Sequence, residues 1–215
     1  MNWYIILAII GFLTSAALYI CLVKKVNYSL KLSVFLGLAS LTGLFAGGRF
    51  FGIIASKIYY YNTGISIVPG IVFYGGLLGF LAVFITLQKI AFKSISGQLC
   101  DIIAVVIPLF HSFGRIGCFL TGCCGGIVHV QLIESFCNFL LFLLLLFLFN
   151  KKIFNGRLLY VYLLIYPLYR FLIEFLRTDI ERGMIGEFSF GQVCSIGIFI
   201  FAVVMLIINK KNKVE

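Results

Sequence analysis

The richest chemistry in this chain lies in His111-Ser112-Phe113-Gly114-Arg115-Ile116-Gly117-Cys118 and the glycines Gly122, Gly125 and Gly126 that follow. The segment closes an otherwise apolar stretch. A guanidinium is expensive to insert there, so it marks a functional site by default. Glycines such as Gly114, Gly117 and Gly122 let a ligand approach backbone N–H groups, and a rigid guanidinium fork suits a phosphate. In a membrane the commonest phosphate belongs to a lipid. His111 stands four residues before Arg115 and shares its helical face. A neutral imidazole there could serve as a general base. A hydrogen-bonded structural histidine is the competing reading.

Other ionisable side chains could join it. Tyr166, Arg170, Glu174 and Arg177 recur at i, i+4, i+8 and i+11, one polar stripe on an apolar helix that should face inward. Arg170 and Glu174 can neutralise each other at that spacing, either as part of a site or as a structural ion pair. Glu134 is the only acid between Asp101 and Glu174, and so a partner for one of the arginines. Arg49 lies in Gly47-Gly48-Arg49-Phe50-Phe51-Gly52, and Gly75 and Gly76 follow Tyr74. Helix packing in lipid accounts for those glycines. Arg49 still needs a carboxylate, a carbonyl or a ligand phosphate. Asp101 reads as interfacial, and His129 carries no clear role. Cys118, Cys123 and Cys124 show no zinc spacing. Small apolar packing is the plainer account of them, with a disulfide or a nucleophile still open. No metal and no cofactor is expected.

The elements that position these groups follow from composition. The chain has 215 residues, 62% hydrophobic and only 11% charged, far from a soluble domain. Runs of about 20 apolar residues span a bilayer as helices, and seven are expected, at 3–23, 32–56, 67–88, 99–118, 132–149, 158–176 and 188–208. The fold class is therefore an all-α integral membrane protein, read as a single transmembrane domain over 1–215. The first span has neither a basic n-region nor a cleavage site and reads as a retained helix. Tyr59, Tyr60 and Tyr61 fall in an expected outer loop at 57–70 and suit an interfacial aromatic belt, with substrate gating as the alternative.

The net charge of +10 is topological rather than a nucleic-acid signal. Lys24, Lys25, Lys31, Lys89, Lys93, Lys151, Lys152, Arg157, Lys210, Lys211 and Lys213 all fall on one side, which the positive-inside rule makes cytoplasmic. The N-terminus is then outside and the C-terminus inside. The remaining cations, Arg49, Lys57, Arg115, Arg170, Arg177 and Arg182, lie toward the outer face, and five of these six are arginine. Lysine suffices for topology, whereas arginine offers a planar fork for phosphate. Snorkelling to the interface is the competing reading, strongest for Arg177 and Arg182.

The motifs resemble the prolipoprotein diacylglyceryl transferases of bacteria. The matching stretches run in order: Gly47-Gly48-Arg49, Phe73-Tyr74-Gly75-Gly76-Leu77-Leu78-Gly79, Gly114-Arg115-Ile116-Gly117-Cys118-Phe119-Leu120-Thr121-Gly122, and Tyr166 through Arg177. Gln131-Leu132-Ile133-Glu134 and Phe188-Ser189-Phe190-Gly191-Gln192 are weaker matches. The resemblance implies a seven-span plasma-membrane enzyme. It would move a diacylglyceryl group from phosphatidylglycerol to the lipobox cysteine of a prolipoprotein and release glycerol phosphate. On that mapping Arg115 and Arg170 match the family's essential arginines, and Tyr166 a motif tyrosine. Arg49, Gly122, Gly126 and Glu134 match other motif positions. The chain departs from the pattern at Tyr74, where many members have histidine, and at Cys118 and Cys123, where many have asparagine and an acid. The family's outer insertion after the signature is nearly absent.

Taken together, Arg115 and Arg170 are expected to clamp the phosphate and His111, or Tyr74, to take the thiol proton. Glu134 and Glu174 would orient the arginines, with Arg49, Tyr166 and the glycines Gly75, Gly76, Gly114, Gly117 and Gly122 around the substrate. Two alternatives stay open. One is a diverged paralogue using another acceptor. The other is a non-catalytic protein that binds or translocates phospholipid.

Overall fold

The computed structural model describes residues 3–122, 125–126, 129–179 and 183–211. Among the described residues seven helices are long and apolar enough to cross a membrane. They are α1 (Trp3–Lys25), α2 (Leu30–Thr63), α3 (Phe73–Phe92), α4 (Gly97–Leu120), α5 (Val130–Asn150), α6 (Leu158–Ile173) and α7 (Phe190–Lys211). A 3-10 turn, Glu174–Leu176, extends α6, and a short hairpin of β1 (Met184–Ile185) and β2 (Phe188–Ser189) precedes α7. The chain is thus a multi-pass helical membrane protein. Its helices form two compact units.

The first unit holds α1, α4, α5, α6 and all but the first turns of α7. α4 is its centre, packed against α1, α5 and α6. Close approach to α1 uses glycine: a Cβ on Gly11 would lie 2.7 Å from Phe113 Cβ, and one on Gly117 would lie 3.1 Å from Tyr4 Cδ2. Asp101, expected at the interface, is instead buried. Its carboxylate accepts the backbone N–H groups of Gly156 at 2.5 Å and Leu158 at 2.7 Å. It therefore holds the turn into α6 and satisfies amide donors that a helix start leaves unmade.

The second unit holds α2, α3, the hairpin and the first turns of α7. α2 and α3 run antiparallel with their backbones in contact through glycines. A Cβ on Gly43 would strike the Gly79 carbonyl, one on Gly47 the Gly75 carbonyl, and one on Gly52 the Gly70 carbonyl. Small residues at such a seam replace the hydrophobic drive that lipid removes. The hairpin turns at Gly186, which has φ +62°, and Asn62 Nδ2 donates to the Met184 carbonyl at 2.6 Å. Ser189 and Gln192 form a reciprocal capping box that starts α7. The Gln192 N–H donates to Ser189 Oγ at 3.2 Å, and the Ser189 N–H donates to Gln192 Oε1 at 2.9 Å.

The helix ends differ from the expected spans. α2 continues to Thr63, so Tyr59, Tyr60 and Tyr61 ride on its last turns rather than in a loop. The apolar window closes near Lys57, but nothing there breaks a helix. The end comes at Gly64, left-handed at φ 72°, whose N–H caps the Tyr60 carbonyl. α3 starts at Phe73, not 67, because Pro69 disfavours helix in the residue before it and Val72 is still extended. The expected start of the last span at 188 belongs to β2.

Candidate active site

α4, α5 and α6 bring the expected ionisable groups together within the first unit. The one-turn spacing of His111 and Arg115 points both at Glu134, which sits in the second turn of α5. Arg115 Nη2 lies 2.9 Å from Glu134 Oε2, Arg170 Nε 3.4 Å from Oε1, and His111 Nε2 3.7 Å from Oε1. Arg170 Nη1 then meets Glu174 Oε2 at 2.5 Å, and Arg177 Nη1 lies 3.6 Å from the same oxygen. The Arg177 guanidinium also forks onto Asp179, with Nε donating to Oδ1 at 2.9 Å and Nη2 to Oδ2. The charges alternate from Arg115 through Glu134, Arg170, Glu174 and Arg177 to Asp179.

All four of Arg115, Glu134, Arg170 and Glu174 are buried. Single charges would be prohibitive there, and the alternation is what makes their burial tolerable. Five N–H donors let one guanidinium hold a carboxylate on one edge and a phosphate on another. Arg177 is a member of this chain, not a snorkelling side chain. The end of α6 serves the same purpose. Arg177 leaves the helix in an extended conformation and forms an isolated antiparallel bridge with Gly126, while the Thr178 N–H donates to the Gly125 carbonyl at 3.1 Å. The glycine tail of the α4 segment is thereby strapped to the exit of α6.

Behind the charges lies a shell of aromatic and amide groups. The Tyr166 ring is centred 5.6 Å from His111 and stacks on Tyr162 at 5.5 Å. Tyr169 packs edge-on to Tyr166, and its hydroxyl donates to Asn138 Oδ1 at 2.9 Å. Asn138 Nδ2 donates to the Glu134 carbonyl at 2.8 Å, and Ser135 Oγ donates to the Ser112 carbonyl at 2.8 Å, tying α5 to α4. Neither Asn138 nor Asp179 stood out in the sequence. The available signals were an amide one turn after Glu134 and an acid two residues after Arg177.

The remaining expected site residues fall elsewhere. Arg49 and Tyr74 belong to the second unit. Arg49 is exposed and donates to the Pro69 carbonyl, so a carbonyl is its partner. Tyr74 is buried on α3. Gly75 and Gly76 face the α2 backbone, and Gly117 faces Tyr4. Packing is what these three glycines do here. Gly114 and Gly122 differ, since a Cβ on either would meet nothing within 4 Å. The His129 ring packs edge-on to Phe119, 5.1 Å between centroids. Cys118 is half-buried. Cys123, Cys124 and Arg182 lie outside the described residues. Among the described residues no group of three His, Cys, Asp or Glu side chains could hold a metal ion.

A comparison with known proteins gives the site a context. The chain is similar to the phosphatidylglycerol–prolipoprotein diacylglyceryl transferase of Finegoldia magna, 29% identical over 234 aligned positions that cover 99% of the chain and 93% of that protein. It is 34% identical to transferase 2 of that name from Clostridium perfringens, over 66% of the chain and 63% of the relative. The Campylobacter hominis protein of the same name is 34% identical over 70% of the chain and 57% of its own length. Against these last two the match spans less than two thirds of the relative. The family model for prolipoprotein diacylglyceryl transferase matches residues 1–208, from α1 through most of α7. The chain belongs to the prolipoprotein diacylglyceryl transferase family.

Proposed function

We propose that this protein transfers the diacylglyceryl group of phosphatidylglycerol to the thiol of a prolipoprotein's lipobox cysteine, in the bacterial plasma membrane. The observation that carries the reading is the buried pairing of Arg115 and Arg170 on Glu134, with His111 beside them. Family membership and the names of the relatives supply the reaction class.

The chemistry needs little from the protein beyond charge and position. The thiol sulfur attacks the glyceryl carbon that carries the phosphate. A sulfur–carbon bond forms, the carbon–oxygen bond breaks, and its electron pair leaves on the phosphate of glycerol phosphate. Negative charge therefore grows on the leaving group. Arg115 and Arg170 stand ready to neutralise it in a site shielded from water, where such interactions are strongest. Their carboxylate partners keep the site near neutral before substrate arrives and hold the forks in place. The thiol proton goes to His111. The Tyr166 ring lies tilted against the imidazole, 5.6 Å between centroids. The acyl chains lie among the apolar helices, and Gly114 leaves open room beside the arginine.

Labelled phosphatidylglycerol incubated with the purified protein and a lipobox peptide tests the reading. Diacylglyceryl thioether by mass spectrometry is the expected product. His111→Gln is expected to lower its rate of formation by about a hundredfold, the scale of a general base. Unchanged turnover in that variant would remove His111 from the mechanism. Phospholipid binding without turnover in the parent would favour a binding or translocating protein.

A further inference from the structure

The alternation of charges ends at Asp179, and it ends in a different geometry from the rest. Arg177 gives Asp179 a whole edge of its guanidinium, with Nε donating to Oδ1 at 2.9 Å and Nη2 to Oδ2. A two-point fork of this kind is what would otherwise grip a phosphate. The third nitrogen, Nη1, lies 3.6 Å from Glu174 Oε2, the oxygen that Arg170 Nη1 approaches to 2.5 Å. Both sides of Arg177 therefore face carboxylates, and Glu174 stays closer to Arg170. The backbone keeps this arrangement in place. Arg177 bridges Gly126 and the Thr178 N–H donates to the Gly125 carbonyl, so Asp179 follows directly on the strap between α6 and the glycine tail of α4. The Asp179 side chain is 20% exposed, against 2% for Glu134 and Glu174, so it closes the open end of the cluster and its replacement buries no orphaned charge there.

Among these side chains Arg115, Arg170 and Arg177 face Glu134, Glu174 and Asp179, and the charges balance. The transfer reaction disturbs that balance. The phosphodiester of phosphatidylglycerol carries a single negative charge, whereas a phosphate monoester carries about 1.5 to 2 at pH 7. An uncommitted guanidinium fork beside the site would therefore hold the product more tightly than the substrate. Asp179 takes that fork out of use. We infer that Asp179 is a positioning residue that occupies the fork of Arg177, keeps Glu174 with Arg170, and confines phosphate binding to Arg115 and Arg170. The inference deepens the transferase reading and rests on it for the identity of the anion.

Glycerol phosphate binding to the purified protein in lipid nanodiscs, measured by calorimetry, reads the released fork without any turnover. Asp179→Asn is expected to bind glycerol phosphate about tenfold more tightly than the parent, the scale of one partly screened charge. Asp179→Glu keeps the charge and should bind it as the parent does. In the double variant Arg177→Gln, Asp179→Asn the gain should vanish, because Asp179 acts through Arg177. In the transfer assay the inhibition constant of added glycerol phosphate should fall by the same factor in Asp179→Asn, while KM for the singly charged phosphatidylglycerol should fall less. A carboxylate with only a structural role would weaken binding and turnover together. Unchanged or weaker glycerol phosphate binding in Asp179→Asn overturns the inference, and so does a gain that persists without Arg177. Asp179→Ser is a second neutral variant, and its affinity decides in the same way if the asparagine variant does not fold. A parent that binds glycerol phosphate but forms no thioether defeats the transferase reading instead, and leaves the affinities to judge Asp179 independently.

Discussion

Glu134 meets three basic side chains at once, Arg115, Arg170 and His111, while its own backbone carbonyl is held by Asn138. Removing it takes from Arg115 and Arg170 the buried carboxylate they share. Glu134→Ala is therefore expected to destabilise the protein by about 3–5 kcal/mol, and Glu134→Gln by less, because the amide oxygen still accepts. Thermal unfolding in detergent measures both, and an alanine variant as stable as the parent would mean the cluster carries no structural weight. At this scale much was legible from sequence alone. A charge in an apolar helix must find a partner, and four such charges within three helices have few choices. Arg115, Glu134, Arg170 and Glu174 were all marked that way. The uncharged part was not. An asparagine or a tyrosine in a helix carries no such obligation, so Asn138 and Tyr169 became visible only when the helices were seen side by side.

At the scale of elements, glycine has two separate jobs. Gly47 and Gly75 let α2 and α3 touch backbone to backbone, whereas Gly114 on α4 stands beside open space. Gly47→Leu or Gly75→Leu should separate α2 from α3 and lower the unfolding temperature sharply, while Gly114→Ala should leave it nearly unchanged. Equal effects from both would refute that division. Hydropathy placed the spans because lipid enforces it, but it could not place their ends. A helix continues past its apolar window until a residue such as Gly64 stops it, and it starts late where Pro69 intervenes. Asp101 was misread for a related reason. Its partners, the amides of Gly156 and Leu158, lie 55 and 57 residues away, and no local pattern announces a cap from so far.

For the whole molecule, the eleven cations on alternate connections argue for an N-terminus outside and a C-terminus in the cytoplasm. A fluorescent protein that matures only in the cytoplasm should glow when fused to the C-terminus and stay dark at the N-terminus. The reverse pattern would invert the topology and place the strap between Gly126 and Arg177 on the wrong side for an acceptor arriving from outside. The charge alternation and the seven spans belong together. Lysines dominate the connections, and the buried arginines are paired with acids in one cluster.

The most direct test of that account is the transfer itself, measured with the arginine of the signature removed. Parent protein in lipid, given labelled phosphatidylglycerol and a lipobox peptide, should yield the diacylglyceryl thioether together with an equal amount of glycerol phosphate. Arg115→Ala should lower the rate by about a hundredfold or more, the scale of losing one stabiliser of developing charge. Equal rates in parent and variant would contradict the central claim that this buried guanidinium meets the departing phosphate.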